Sequence, residues 1–170
     1  VALSRALIGR IRGGLAQVNV LVSMFFAGMN GSVVADTATV GALVLPAMKK
    51  AGYPAAFSAA VTGVSSTIGG IIPPSIMMIV LANSTEISIA ALFAAGIIPG
   101  VLIGVVIMII NHFFAIKYNF ERSDEPCPIR RAGKELYRSS FALLIPLVLL
   151  GSVMGGVASV VEAGAITAMV

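Results

Sequence analysis

The sequence predicts an all-α polytopic membrane protein, and three observations carry that reading. Hydrophobic residues make up 58% of the 170 positions, charged residues only 11%, and the mean hydropathy is +1.04; a soluble domain carries about 25% charge, which its surface needs. Four charge-free runs, Gly13–Ala35, Ala51–Thr85, Ile87–Ile116 and Ser139–Val161, are each long enough to cross a hydrocarbon layer of about 30 Å at about 1.5 Å per residue. The basic residues sit between those runs, as Arg5/Arg10/Arg12, Lys49/Lys50 and a cluster between Lys117 and Arg138. That is how topology determinants are distributed. A basic face that tracks phosphates looks different, so the net charge of +4 does not point to nucleic acid.

Residues 1–13 read as a cytoplasmic-side segment leading into the first apolar unit, residues 14–50. Only Asp36 interrupts the stretch from Gly13 to Met48, and its middle reads GMNGSVVADTATVGA. One helix of that length would run to about 54 Å, beyond the bilayer core. Two readings remain: two full spans joined by a tight turn, or two half-spans meeting at an Asn30-Gly31-Ser32 tip. The re-entrant hairpin is preferred. Arms of about 17 residues are at the short end for crossing, and a polar, glycine-rich tip is tolerated at membrane depth when protein or a wet cavity surrounds it.

Pro54 suits the first turn of the next helix, and residues 51–82 are expected to form one discontinuous span. Its centre reads VSSTIGGIIPPSI. Pro73 and Pro74 lack the amide donors owed to carbonyls near Gly69 and Gly70, and each pushes the preceding residue out of the helical region. The helix should therefore break near mid-membrane. Asn83-Ser84-Thr85-Glu86 reads as a polar outer loop. Residues 87–116 read as a short interfacial segment and then a span, divided at Pro99-Gly100. The 117–138 loop, with six Lys/Arg against four acids, returns to the inside, and residues 139–170 hold another span and the start of a further element. The basic groups then share one side. Both chain ends read as cut, as in a piece of a larger membrane protein.

An acid at membrane depth is a functional hypothesis by default. Asp36 lies four residues after Ser32, on one face if that arm is helical. It either caps the hairpin tip, supplies charge to a cation or substrate, or sits at an interface. The two breaks are the stronger signal. An interrupted helix leaves carbonyls at one broken end, suited to sodium with help from Ser65, Ser66 and Thr67, and amides at the other, suited to an anion. Asn30, Gly31 and Ser32 would supply the facing tip. Enzyme signatures are weak. His112 and Cys127 are the only residues of their kinds, and neither a zinc cluster nor a catalytic triad can be built on them. Glu162 reads as a helix start or a protein-facing polar contact.

The motifs MFFAGMNGSVVADTATVGALVLPAMKKAGY (Met24–Tyr53), AAVTGVSSTIGGIIPPSIMMIV (Ala59–Val80) and ALFAAGIIPG (Ala91–Gly100) resemble the large membrane subunit of tripartite ATP-independent periplasmic (TRAP) transporters, the DctM-like permease family. The resemblance runs over nearly the whole chain and weakens in the 117–138 loop. It implies part of an ion-transporter-type inverted-repeat fold in a multi-pass protein of the cell inner membrane. It also implies sodium-coupled import of organic acids such as C4-dicarboxylates and sialic acid, with a small membrane subunit and an extracytoplasmic solute-binding protein as partners. The substrate would be a carboxylate and sodium the coupling ion, with no other cofactor. Asn30, Gly31, Ser32, Asp36 and Thr37 would form the hairpin part of the site, and Ser65, Ser66, Thr67, Gly69, Pro73 and Pro74 the other. One departure is Ala158-Ser159-Val160-Val161-Glu162-Ala163, where the family often has Thr-Pro-Thr-Glu-Ala.

Overall fold

The computed structural model describes residues 13–120 and 146–168. The expected N-terminal segment as far as residue 12, the loop over 121–138 with Cys127, and the beginning of the last span lie outside the described residues. Regular structure among the described residues is all helical.

Helix α1 (Gly14–Asn30) and helix α2 (Val33–Lys50) are joined by Gly31 and Ser32 alone. Gly31 has φ 59, in the left-handed region, and its amide bonds back to the Ala27 carbonyl at 3.1 Å. Such a left-handed residue is a common way to end a helix. Ser32 is extended and its hydroxyl accepts from the Ala35 amide at 3.4 Å, an N-cap that starts α2. The chain thus stops one helix and starts the next within two residues, so α2 returns against α1.

Helix α3 (Ala55–Ser66) begins directly after Pro54 and passes into a 3-10 turn over Thr67–Gly70. Bends through Pro74 follow, with a cis Pro73–Pro74 peptide, and helix α4 (Ile76–Thr85) resumes under a Ser75 cap. The break expected from the two prolines is present. The polar run after it is not a loop, however, because α4 extends through Thr85. The Ser84 and Thr85 hydroxyls donate to the Val80 and Leu81 carbonyls at 2.9 and 2.7 Å, so both side chains are satisfied within the helix. Glu86, with φ 57, makes the turn.

Helix α5 (Ile89–Lys117) is unbroken despite Pro99, which differs from the division expected at Pro99-Gly100. Packing accounts for the difference: Gly96 and Gly100 hold this part of α5 against the break. A Cβ at Gly96 would lie 2.5 Å from the Ile71 carbonyl oxygen, and one at Gly100 would lie 2.5 Å from Ile72 Cγ1. Among the described helices, α5 alone is long and apolar enough to cross a membrane. Residues 146–154 form helix α6. Helix α7 (Val160–Ala168) opens on a reciprocal cap, in which the Ser159 amide and hydroxyl each donate to Glu162 Oε2 at 2.8 Å and the Glu162 amide donates to Ser159 Oγ at 3.3 Å. Glu162 is thus a helix-start residue held in a capping box.

Contacts along α5 set the depth of each element. A Cβ on Gly13 would touch Ala115, one on Gly104 would touch Met24, and Gly100 and Gly96 meet Ile72 and Ile71. The Tyr53 ring lies 4.5 Å from that of Phe120, and Phe57 lies 6.1 Å from Phe114. The start of α1, the α2–α3 turn with Lys49 and Lys50, and the Lys117 end of α5 therefore gather at one end, with an aromatic cluster among them. The hairpin tip touches Pro74 and so lies near the level of Gly96–Gly100. The seven residues from Ile89 to Ala95, about 10 Å of helix, extend past it.

Candidate functional site

The face that α3 turns inward is largely polar. Ser58, Thr62, Ser65 and Ser66 are all buried, whereas Val64 is 53% exposed. A lipid-embedded helix tolerates this when its hydroxyls bond to neighbouring helices or to its own carbonyls. Thr62 Oγ1 donates to the Ser58 carbonyl at 2.9 Å and accepts from Asn19 Nδ2 at 2.7 Å. Ser65 Oγ donates to the Thr62 carbonyl at 3.1 Å and lies 3.2 Å from Ser23 Oγ; with its own proton so placed, it accepts from Ser23. Asn19 and Ser23, one helical turn apart on α1, thereby dock α1 onto α3.

The ladder leads to Asp36. This residue is 0% exposed, and neither carboxylate oxygen has a hydrogen-bond partner. The Ser66 and Ser23 hydroxyls face the carboxylate, but neither closes on it with hydrogen-bond geometry. Ser66 Oγ is itself buried and unpartnered. Asp36 is not the cap of the hairpin tip: Ser32 fills that place, and the only bond between Asp36 and the tip is from its backbone amide to the Ser32 carbonyl at 3.0 Å. A buried, unpaired carboxylate is costly.

The tip and the break meet beside it. The Ile76 amide, in the first turn of α4, donates to the Gly31 carbonyl at 3.1 Å. A Cβ at Gly31 would collide with the Pro74 carbonyl oxygen, and one at Gly69 would lie 3.6 Å from the Ser32 carbonyl and 3.7 Å from Asp36 Cβ. Ser75 Oγ donates to the Gly70 carbonyl at 2.8 Å and accepts from the Met78 amide at 3.4 Å. Part of the amide end of α4 is therefore engaged by the protein itself.

Of the residues singled out in the sequence, the structure brings together Gly31, Ser32, Asp36, Ser65, Ser66, Gly69, Pro73 and Pro74. Asn30 closes α1 half-buried beside them. Thr37 and Thr67 are exposed, and their hydroxyls donate to the Val33 and Val64 carbonyls of their own helices at 2.8 and 2.7 Å. Asn19, Ser23 and Thr62 were not singled out by sequence reasoning. The available signal was the i, i+4 spacing of Asn19 and Ser23 inside an otherwise apolar helix.

Chemically, the junction offers one carboxylate, one hydroxyl without a partner and nearby carbonyls. All are oxygen donors, suited to a hard cation, and the described residues hold no His/Cys/Asp/Glu cluster that would suit a transition metal. The whole sequence, residues 1–170, matches the family model described as the tripartite ATP-independent periplasmic transporter, DctM component. The chain belongs to the DctM family of TRAP permeases. It is 36% identical over 166 residues to the C4-dicarboxylate TRAP transporter large permease protein DctM of Pseudomonas aeruginosa, covering 98% of this chain and 39% of that protein. It is 37% identical to the sialic acid TRAP transporter permease protein SiaT of Haemophilus influenzae, over 97% of this chain and 27% of that protein. A third relative is the 2,3-diketo-L-gulonate TRAP transporter large permease protein YiaN of Escherichia coli, at 36% identity over 99% of this chain and 39% of that protein. The chain thus spans about two fifths or less of the length of these permeases.

Proposed function

We propose that this chain is part of the large membrane subunit of a sodium-coupled secondary transporter that imports organic acids of the C4-dicarboxylate or sialic-acid type. The substrate arrives from an extracytoplasmic solute-binding protein, and a small membrane subunit completes the complex in the inner membrane. The observation that carries this reading is the unpartnered, buried Asp36 carboxylate beside the unpartnered Ser66 hydroxyl, where a helical hairpin meets a broken helix. Sodium would sit there, with Asp36 and Ser66 as side-chain ligands and carbonyls around the tip and the 3-10 turn as further oxygens. Asn30, Gly31, Ser32, Gly69, Pro73 and Pro74 shape the junction, and Ser65 fixes it through Ser23. Thr37 and Thr67 stand outside it.

The depth of the tip favours a re-entrant hairpin. It lies short of the far end of α5 by about 10 Å, as a half-span would. The described apolar helices carry no arginine, so backbone amides, sodium or the remainder of the permease, with a second hairpin and broken helix, would hold the carboxylate substrate.

The experiment is uptake of labelled carboxylates by the reconstituted complex. Uptake that needs both the binding protein and a sodium gradient is expected. Uptake that persists without the binding protein would identify a stand-alone anion carrier. A sealed, inert junction with no uptake of any solute would identify a scaffold subunit.

A further inference from the structure

A second feature lies away from the Asp36 junction. A groove of about 560 Å³ runs between α2 and α3, within the size range of small-molecule sites, about 300–1,000 Å³. Its walls are Gly41, Ala42, Leu45 and Pro46 from α2, with Ala55 and Ala59 from α3. The floor is closed where Gly41 packs on Thr62, since a Cβ there would lie 3.7 Å from Thr62 Cγ2. Ser58 also borders the groove, but its hydroxyl donates to the Pro54 carbonyl at 3.1 Å. No buried, unpartnered side-chain atom belongs to these residues. The walls suit an apolar chain and offer a polar solute little to bond.

Charge enters only at the mouth. Lys49 lines the groove and is exposed, and Lys50 follows it. The described acids lie elsewhere: Asp36 at the junction, Glu86 in the turn after α4, and Glu162 in the cap of α7. Lys49 therefore has no acid to pair with among the described residues. Helix α3 starts at the same mouth without a side-chain cap, so the positive end of its dipole adds to the lysine charge. The rings of Tyr53, Phe57, Phe114 and Phe120 gather at this end of the molecule, and Tyr118 beside Lys117 extends them. Aromatic and basic residues together mark the level of lipid headgroups. From Lys49 down to Gly41 the groove covers eight residues of α2, about 12 Å. That is close to one leaflet of a hydrocarbon core about 30 Å thick.

We propose that this groove binds one anionic phospholipid, with an acyl chain along the small residues of α2 and α3 and the phosphate at Lys49. Charge decides among the occupants. A further apolar helix would cover the mouth and leave Lys49 without a counterion, and a zwitterionic lipid would bring its own cation there. The bound lipid braces α2, the hairpin arm that carries Asp36, against α3. The lipid site stands independently of the proposed sodium site.

The test is photocrosslinking in the full permease complex, held in phosphatidylcholine nanodiscs with a trace of phosphatidylglycerol that carries a diazirine on its acyl chain. Mass spectrometry reads the labelled residues. Label is expected in the groove, at Ala42, Pro46, Ala55 or Ala59. Replacing part of the phosphatidylcholine by unlabelled phosphatidylglycerol, at constant probe, should lower that label severalfold. Contact with bulk lipid would leave it unchanged, because the probe's share of the bilayer is the same. A groove free of label in the unmodified complex overturns the proposal and makes another segment of the permease its cover. Label that resists competition overturns it in favour of bulk lipid. Both results are read without any variant and whatever sodium does to uptake. In a folded Lys49→Gln complex the label should also fall severalfold, and label equal to the parent's overturns the assignment of the phosphate to Lys49.

Discussion

The Gly31 carbonyl and the Ile76 amide are 3.1 Å apart and hydrogen-bonded, which ties the tip of the hairpin to the first turn of α4. This single backbone bond joins the two interruptions of regular helix on which the candidate site is built. It satisfies a donor that a helix start would otherwise leave unpaired, and it makes the hairpin and the broken helix one unit.

Replacing Gly31 breaks that unit. Its φ of 59 costs an ordinary L-residue about 1–2 kcal/mol, and a Cβ there would also run into the Pro74 carbonyl. Gly31→Ala is expected to lower the thermal midpoint of the purified complex and to depress uptake together with it. A variant with unchanged stability would show that the tip does not pack against Pro74.

The Asn19–Thr62 bond is measurable on its own. Buried interhelical hydrogen bonds in membrane proteins couple by about 0.6 kcal/mol on average, up to about 1.7. A double-mutant cycle with Asn19→Ala and Thr62→Val should give a coupling in that range and of stabilising sign. A value indistinguishable from zero would remove this bond as the tie between α1 and α3.

Much of this arrangement is legible in the sequence. Asn30-Gly31-Ser32 marks a turn because glycine reaches the left-handed region and serine caps the following helix. Pro73-Pro74 marks a break because two amide donors are missing. What was not legible came from tertiary packing. Pro99 reads as a divider, yet α5 runs unbroken through it, with Gly96 and Gly100 seated against Ile71 and Ile72. Ser84 and Thr85 looked like a loop, yet their hydroxyls bond back into α4. Asn19 and Ser23 were hidden as single polar residues in an apolar run, and only the inward polar face of α3 gives them partners. Asp36 stood out from its charge, but that it has no protein partner is a property of the packed structure alone.

Close packing at α5 predicts a second sensitive position. Gly96→Ala sets a methyl group against the Ile71 carbonyl, which is backbone and yields little, and against Met78, which is flexible. Overpacking of this kind costs about 1–3 kcal/mol. Uptake should fall because the carbonyls of the break shift, although α5 itself gains helix propensity. Unchanged uptake and unchanged thermal stability in Gly96→Ala would mean that α5 does not position the break.

Thr37 and Thr67 serve as the contrast to Ser66. Both threonines are exposed and bonded within their own helices, so Thr37→Val and Thr67→Val should stay within about 0.5 kcal/mol of the parent in stability and retain sodium-dependent uptake. Ser66→Ala should raise the sodium concentration needed for half-maximal uptake. Equal effects in all three variants would mean that the unpartnered Ser66 hydroxyl has no special role.

Equilibrium binding of radiolabelled sodium to the purified complex, with and without Asp36→Asn, tests the proposed site most directly. The parent is predicted to show saturable binding, and Asp36→Asn to lose one component of it while keeping its stability within about 1 kcal/mol of the parent. Identical sodium binding in a folded Asp36→Asn complex would contradict the assignment of the buried carboxylate as a cation ligand.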